Sequence, residues 1–96
     1  MSAYIIALIE IHDRDEYKRY QEGFREIFSK YDGEVLVVEE APTVLEGEWP
    51  HTRTVVLRFA DENEAKRWYG SEQYQALAQH RFRASRANVI LAKGRS

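Results

Sequence analysis

No cysteine occurs in the 96 residues, which excludes disulfides, thiolate metal sites, redox dithiols and a cysteine nucleophile in one step and points to the cytoplasm. A charge surplus is missing too. With 14 Lys and Arg against 16 Asp and Glu the formal net charge is -2, whereas a dedicated phosphate-backbone binder needs excess cations to release counterions. No apolar run is long: the stretch beginning at Ala3 is broken at Glu10, too short to cross a bilayer and without a basic leader, so neither a membrane segment nor a targeting signal is expected. Two prolines and five glycines are too few for a low-complexity chain, and 44% hydrophobic with 31% charged residues suits a globular one. A chain of this length makes one domain, residues 1–96, and can hide roughly 60 to 70% of its unfolded surface.

Within that frame the local patterns are clear. Residues 3–11 are aliphatic and β-branched, and they predict a strand with Ala3, Ile5, Ala7, Ile9 and Ile11 on one side and Tyr4, Ile6, Leu8, Glu10 and His12 on the other. Asp13 followed three positions later by Glu16 is a capping-box start, and Tyr17, Tyr20, Phe24, Ile27, Phe28 and Tyr31 then recur at helical spacing up to an expected stop at Asp32-Gly33, with the glycine left-handed. A strand over 33–40 follows, then Pro42, a short extended piece over 43–46 and turn material over 47–52. The third strand is placed at 53–60, and Asp61 with Glu64 repeats the capping pattern. The second helix carries Ala65, Trp68 and Tyr69 inward, breaks near Gly70-Ser71 with Ser71 as the new N-cap, and restarts with Tyr74, Leu77, Ala78 and Phe82 inward. A last strand is expected over 88–93.

The order β-α-β-β-α-β in two similar halves predicts an α+β, ferredoxin-like fold, a four-stranded antiparallel sheet with its helices on one face. The other face then holds Tyr4, Ile6 and Leu8 beside Thr54, Val56 and Arg58. Large aliphatics on an uncovered sheet mark an interface, and a homodimer with the sheets face to face is the simplest cover.

The segment Trp68-Tyr69-Gly70-Ser71-Glu72-Gln73-Tyr74-Gln75, with residues 44–49 and the strand 54–59, resembles domain-of-unknown-function family 1330 of the dimeric α/β-barrel superfamily. The resemblance runs from the first strand through Gly94 and implies the same fold and the same face-to-face dimer. It assigns no activity. The wider superfamily includes haem-degrading and quinone-forming monooxygenases, muconolactone isomerase and ligand-binding regulators that hold small molecules between sheet and helices, so it implies a location and not a mechanism.

Candidate residues divide by chemistry. Glu10 and His12 share one strand face and would suit a metal or an acid-base pair, but a third ligand is lacking and solvent satisfies both, so no metal site and no tightly held cofactor are expected. Glu46 and Tyr69 are the catalytic candidates: a carboxylate at the hairpin mouth orients a substrate or acts as a base when desolvated, against a salt bridge to Arg53 or Arg58 as the plain alternative. Trp68, Tyr69, Tyr74 and Arg81 are the ligand-binding candidates, the aromatics as walls and Arg81 as the inward member of the basic group His80, Arg81, Arg83 and Arg86. Core packing and the helix dipole are the competing accounts. Ser71 has no histidine base placed with it, His51 is expected to be exposed and Trp49 to reach an interface. RNA-recognition modules share the topology but need stacking aromatics on the central strands, where only Tyr4 would serve, so no nucleic acid is expected.

No motif fixes a reaction, and whether the chain is an enzyme stays open. Two readings remain: a homodimer that binds or transforms a small aromatic or carbonyl compound in a pocket between sheet and helices, and a non-catalytic structural or regulatory dimer with a closed core. An open apolar cavity of a few hundred Å³ favours the first.

Overall fold

The computed structural model describes residues 1–95 and runs β1 (Ala3–Ile11), α1 (Arg14–Phe28), β2 (Gly33–Glu39), β3 (Arg53–Phe59), α2 (Glu62–Tyr69), α3 (Glu72–Ala84) and β4 (Ser85–Lys93). All neighbouring strands are antiparallel, in the order β2-β3-β1-β4. This is the ferredoxin-like sheet that the element order predicts.

Alternation along β1 sorts its side chains as the sequence indicates. Ala3, Ile5, Ala7 and Ile9 are buried beneath the helices, and Tyr4, Ile6 and Leu8 face away, only half-buried. Opposite them on the same open face lie Val56 and Arg58 of β3 and Ile90 and Ala92 of β4. Ile90 is 56% exposed there.

All three helices start on the caps read from the sequence. The Asp13, Asp61 and Ser71 side chains accept from the backbone N–H of Glu16, Glu64 and Tyr74. Neither capping glutamate reaches back to its cap, however. Glu16 accepts from Arg83 and lies 2.6 Å from His80 Nδ1, tying α1 to α3, and Glu64 accepts from Asp32 N and from Arg67, tying the first turn to α2.

Five features differ from expectation. α1 ends at Phe28 rather than at Asp32-Gly33, with Ser29 still right-handed at the C-cap and its hydroxyl donating to the Glu26 carbonyl. Gly33 is not left-handed; among the described residues only Gly47 has a positive φ, and Gly33 is small because a Cβ there would meet the Phe59 ring at 2.9 Å and the Phe28 ring at 3.0 Å. Residues 43–46 form no strand and lie in an exposed loop. β4 begins at Ser85, directly after α3, instead of at Asn88. Phe82 points outward, because Tyr74, Ala78 and Arg81 already take the inward stripe of α3 and Phe82 is turned roughly 100° away from Arg81.

One further irregularity shapes the interior. Val35 pairs with Leu57 and Val38 with Val55, so a bulge between them sets two residues three apart on the same helix-facing side of β2.

A candidate ligand cavity between sheet and helices

The core is an aromatic array that joins every helix to the sheet. Phe59 and Trp68 are its largest fully buried members. Trp68 packs on Tyr74 with ring centroids 4.1 Å apart and meets Phe28 edge-on at 5.6 Å. Such rings fill volume poorly where their edges splay, and here they leave a cavity of about 460 Å³. Ile5, Ala7 and Ile9 form its floor on the sheet, and Tyr17, Tyr20, Phe24 and Phe28 its roof along α1. Trp68, Tyr69, Tyr74 and Arg81 close it from α2 and α3. Its exposed lining residues, Gln21, Arg25 and Ser29 of α1 with Val35 and Val38 of β2, place the mouth between those two elements.

Few polar groups enter this space. The hydroxyls of Tyr20 and Tyr74, both buried, are 2.8 Å apart. Burial, and then the neighbouring Tyr74, pushes the Tyr20 phenol well above its ordinary pKa, so it stays protonated and can donate. Burial also raises Tyr17, against the pull of Arg53 and Arg81. The Arg53 guanidinium lies 5.6 Å from the Tyr17 ring centre and donates to Glu40 at 2.8 Å, while its Nε is buried without a partner among the described residues. Trp68 Nε1 is likewise unpartnered.

Arg81 is the most unusual of these groups. It is only 5% exposed, with its guanidinium 5.8 Å from the Tyr20 ring centre and 5.0 Å from that of Phe82. Burial weighs against its charge, but the oxygens of Tyr74 and Tyr20 outweigh that and hold its pKa above the ordinary arginine value. It stays a cation.

The structure therefore brings together Trp68, Tyr69, Tyr74 and Arg81, but not Glu46, which sits in the exposed 40–52 loop and does not line the cavity. The basic group splits: Arg81 turns in, His80 and Arg83 hold Glu16, and Arg86 is exposed. Glu10, His12 and Arg86 border a separate, more polar pocket of about 520 Å³ with Ile11, Pro50, Thr52 and Ser85. Trp49 donates to Thr54 Oγ1 at 3.1 Å and stacks edge-on with His51. Tyr17 and Tyr20 are cavity residues that the helical spacing presents only as core, and Arg53 is one that the sequence presents only as a salt-bridge partner for Glu46; the available signal is the hydroxyl on two inward aromatics of α1, where phenylalanine would serve a plain core.

No cluster of three potential metal ligands exists among the described residues, and no histidine or carboxylate lines the cavity. What remains is a space that can hold a flat apolar molecule, give it hydrogen bonds from phenols and set a guanidinium beside it.

Comparison with known proteins accords with this architecture. The model of a domain of unknown function, DUF1330, matches residues 2–95. A crystal structure of a protein of unknown function from Rhodopseudomonas palustris superposes with a TM-score of 0.79 at 13% identity, covering 99% of this chain and 83% of that one. SnoaB, a cofactor-independent oxygenase from Streptomyces nogalater, gives 0.69 at 11% identity over 99% and 94% of the two chains. A dimeric ferredoxin-like protein of unknown function from Jannaschia gives 0.71 at 11% identity over 98% and 100%. At these identities the likeness is one of fold. No curated protein matches the sequence significantly.

Proposed function

This chain belongs to the DUF1330 family, and on that premise we propose that it is a single-domain, self-associating protein that binds or transforms a small aromatic or carbonyl compound in the cavity between sheet and helices. The observation that carries the reading is the cavity itself: about 460 Å³, aromatic-walled, open at one side and furnished with a phenol pair and one buried guanidinium. That volume falls within the range of small-molecule sites, roughly 300–1,000 Å³. A closed core, which the non-catalytic reading requires, does not accord with it.

Trp68, Tyr69 and Tyr74 form the wall in this reading and Arg81 sets its polarity. Of the two catalytic candidates, Tyr69 borders the cavity and Glu46 stands outside it, so Tyr69 is the one retained. Self-association through the open sheet face is supported by the aliphatic surface of Ile6, Leu8, Val56 and Ile90, and by the Jannaschia neighbour, a dimer of the same fold. The lack of cysteine suits a reducing compartment such as the cytoplasm. No described helix is long and apolar enough to cross a membrane.

A thermal-shift screen of small aromatic acids, quinones and neutral aromatic aldehydes tests the proposal. A concentration-dependent rise in Tm with at least one class is expected. A flat response to all three classes, with ring-filling substitutions at Ala7 raising Tm, would return the cavity to the status of a packing defect.

A further inference from the structure

Among the described residues, no acidic side chain that touches a cation lines the cavity. Glu40 holds Arg14 and Arg53, Glu16 holds Arg83 and Arg19, and Glu34, Glu62 and Glu64 hold Arg58, Lys66 and Arg67. Arg81 has no such partner among the described residues, although it is the most deeply buried charged side chain. A charge withdrawn from water without a counter-charge is expensive, and replacing one by an apolar residue of similar volume is often stabilising. The fold nevertheless places this one against a space bordered by no acid.

We propose that the ligand of this cavity carries one negative charge on an aromatic body, that the charge is a carboxylate, and that the Arg81 guanidinium is its counter-charge. The inference rests on the small-molecule reading above and makes it specific.

Three observations select this chemistry. First, one interior guanidinium lacks an acidic partner among the described residues: Arg53 is occupied by Glu40, and Arg25 stands at the exposed rim, so the interior offers charge for a monoanion and not for a phosphate dianion. Second, the planar fork of a guanidinium matches the two oxygens of a carboxylate in a paired hydrogen-bond arrangement. The Tyr20–Tyr74 hydroxyl pair next to it uses one proton in the mutual bond and supplies one further donor to an oxygen. Third, apart from Gln21, Arg25 and Ser29 at the rim and Arg53 held by Glu40, the walls are mainly aromatic and aliphatic, which suits a ring system better than a polar chain such as a sugar. Binding would then convert an uncompensated buried cation into a neutral, hydrogen-bonded pair, a gain open only to the anion.

The test uses three probes of one shape on the full chain: 2-naphthoate, 2-naphthamide and 2-naphthylmethylammonium, titrated calorimetrically at pH 7 and low salt. Naphthoate is expected to bind at least about tenfold tighter than the amide, the ratio a charge-assisted hydrogen bond supports, and the ammonium compound not at all. In Arg81→Gln the carboxylate preference should vanish while amide binding persists, and Arg81→Lys, which keeps the charge but loses the fork, should retain part of it. Equal affinities for carboxylate and amide in the unmodified protein overturn the charge assignment and leave the cavity reading standing. So does a preference that survives in Arg81→Gln. If none of the three probes binds, both the cavity reading and the assignment fall.

Discussion

The hydroxyl of Tyr20 meets that of Tyr74 at 2.8 Å in the interior, the first supplied by α1 and the second, 54 positions later, by α3. Both residues are buried and the two hydroxyls bond to each other, so each depends on the other and the pair fastens the two helices above the sheet beside the cavity. Their rings meet edge-on with centroids 6.2 Å apart.

That dependence gives the first prediction. Tyr20→Phe or Tyr74→Phe alone takes away this bond and leaves the other buried hydroxyl without it, and should lower unfolding free energy by about 1–2 kcal/mol, whereas the double variant should lose clearly less than the sum. Urea denaturation of the four proteins measures the coupling. Strictly additive losses would mean that the two hydroxyls do not rely on each other.

Arg81→Met separates a ligand contact from a structural cation. The thioether keeps the stacking volume over Tyr20 and Phe82 and removes the unpaired charge, so the ligand-free protein should stay within about 1 kcal/mol of the original or gain stability. A loss of about 3 kcal/mol or more in denaturant unfolding would assign Arg81 to the fold.

Leu8 lies on the open sheet face, opposite Thr54 on one side and Asn88 on the other. Leu8→Glu sets a carboxylate beside the aliphatic patch of Ile6, Val56 and Ile90 and is expected to give monomers or insoluble protein in size-exclusion chromatography. An unchanged dimer would place the interface elsewhere.

Glu16 predicts a pH dependence. The hydrogen bond with His80, followed by that from Arg83, holds its carboxyl below the ordinary glutamate range. A depressed carboxyl contributes stability above its unfolded-state value, about 4.3, and loses it as the pH falls through the lower folded-state value. Glu16→Gln should therefore be less stable than the original at pH 7, with the difference closing in acid below about pH 4. Melting curves from pH 7 to pH 3 read it directly; a difference that holds constant throughout would remove the charge from the account.

Much of the fold is legible in the sequence because it rests on local rules. Alternation along β1 fixes which side is buried, and Asp13, Asp61 and Ser71 start their helices where short polar side chains meet free N–H groups. The inward turn of Arg81 was legible too, through its spacing from Tyr74 and Leu77. What escaped depends on distant neighbours. Glu16 and Glu64 look like halves of capping boxes, but residues 64 and 32 positions away respectively take up their carboxylates. Gly33 looks like a helix terminator and is small instead because Phe28 and Phe59 converge on it. The β2 bulge and the cavity arise where strand pairing and ring packing meet, and no window of sequence contains both. Glu46 attracted notice through its segment, yet nothing local fixes the direction of an exposed loop.

The bulge that turns Val35 and Val38 to the same side has a consequence for how such a protein can diversify. Both valines border the opening, yet they are 46% and 48% exposed, and exchanges at half-exposed aliphatic positions seldom change stability by much. The width of the entrance is thereby uncoupled from the integrity of the core. Substitutions in β2 can admit or refuse molecules of different girth while Trp68, Phe59 and the phenol pair stay as they are, so new specificities lie a few neutral steps apart.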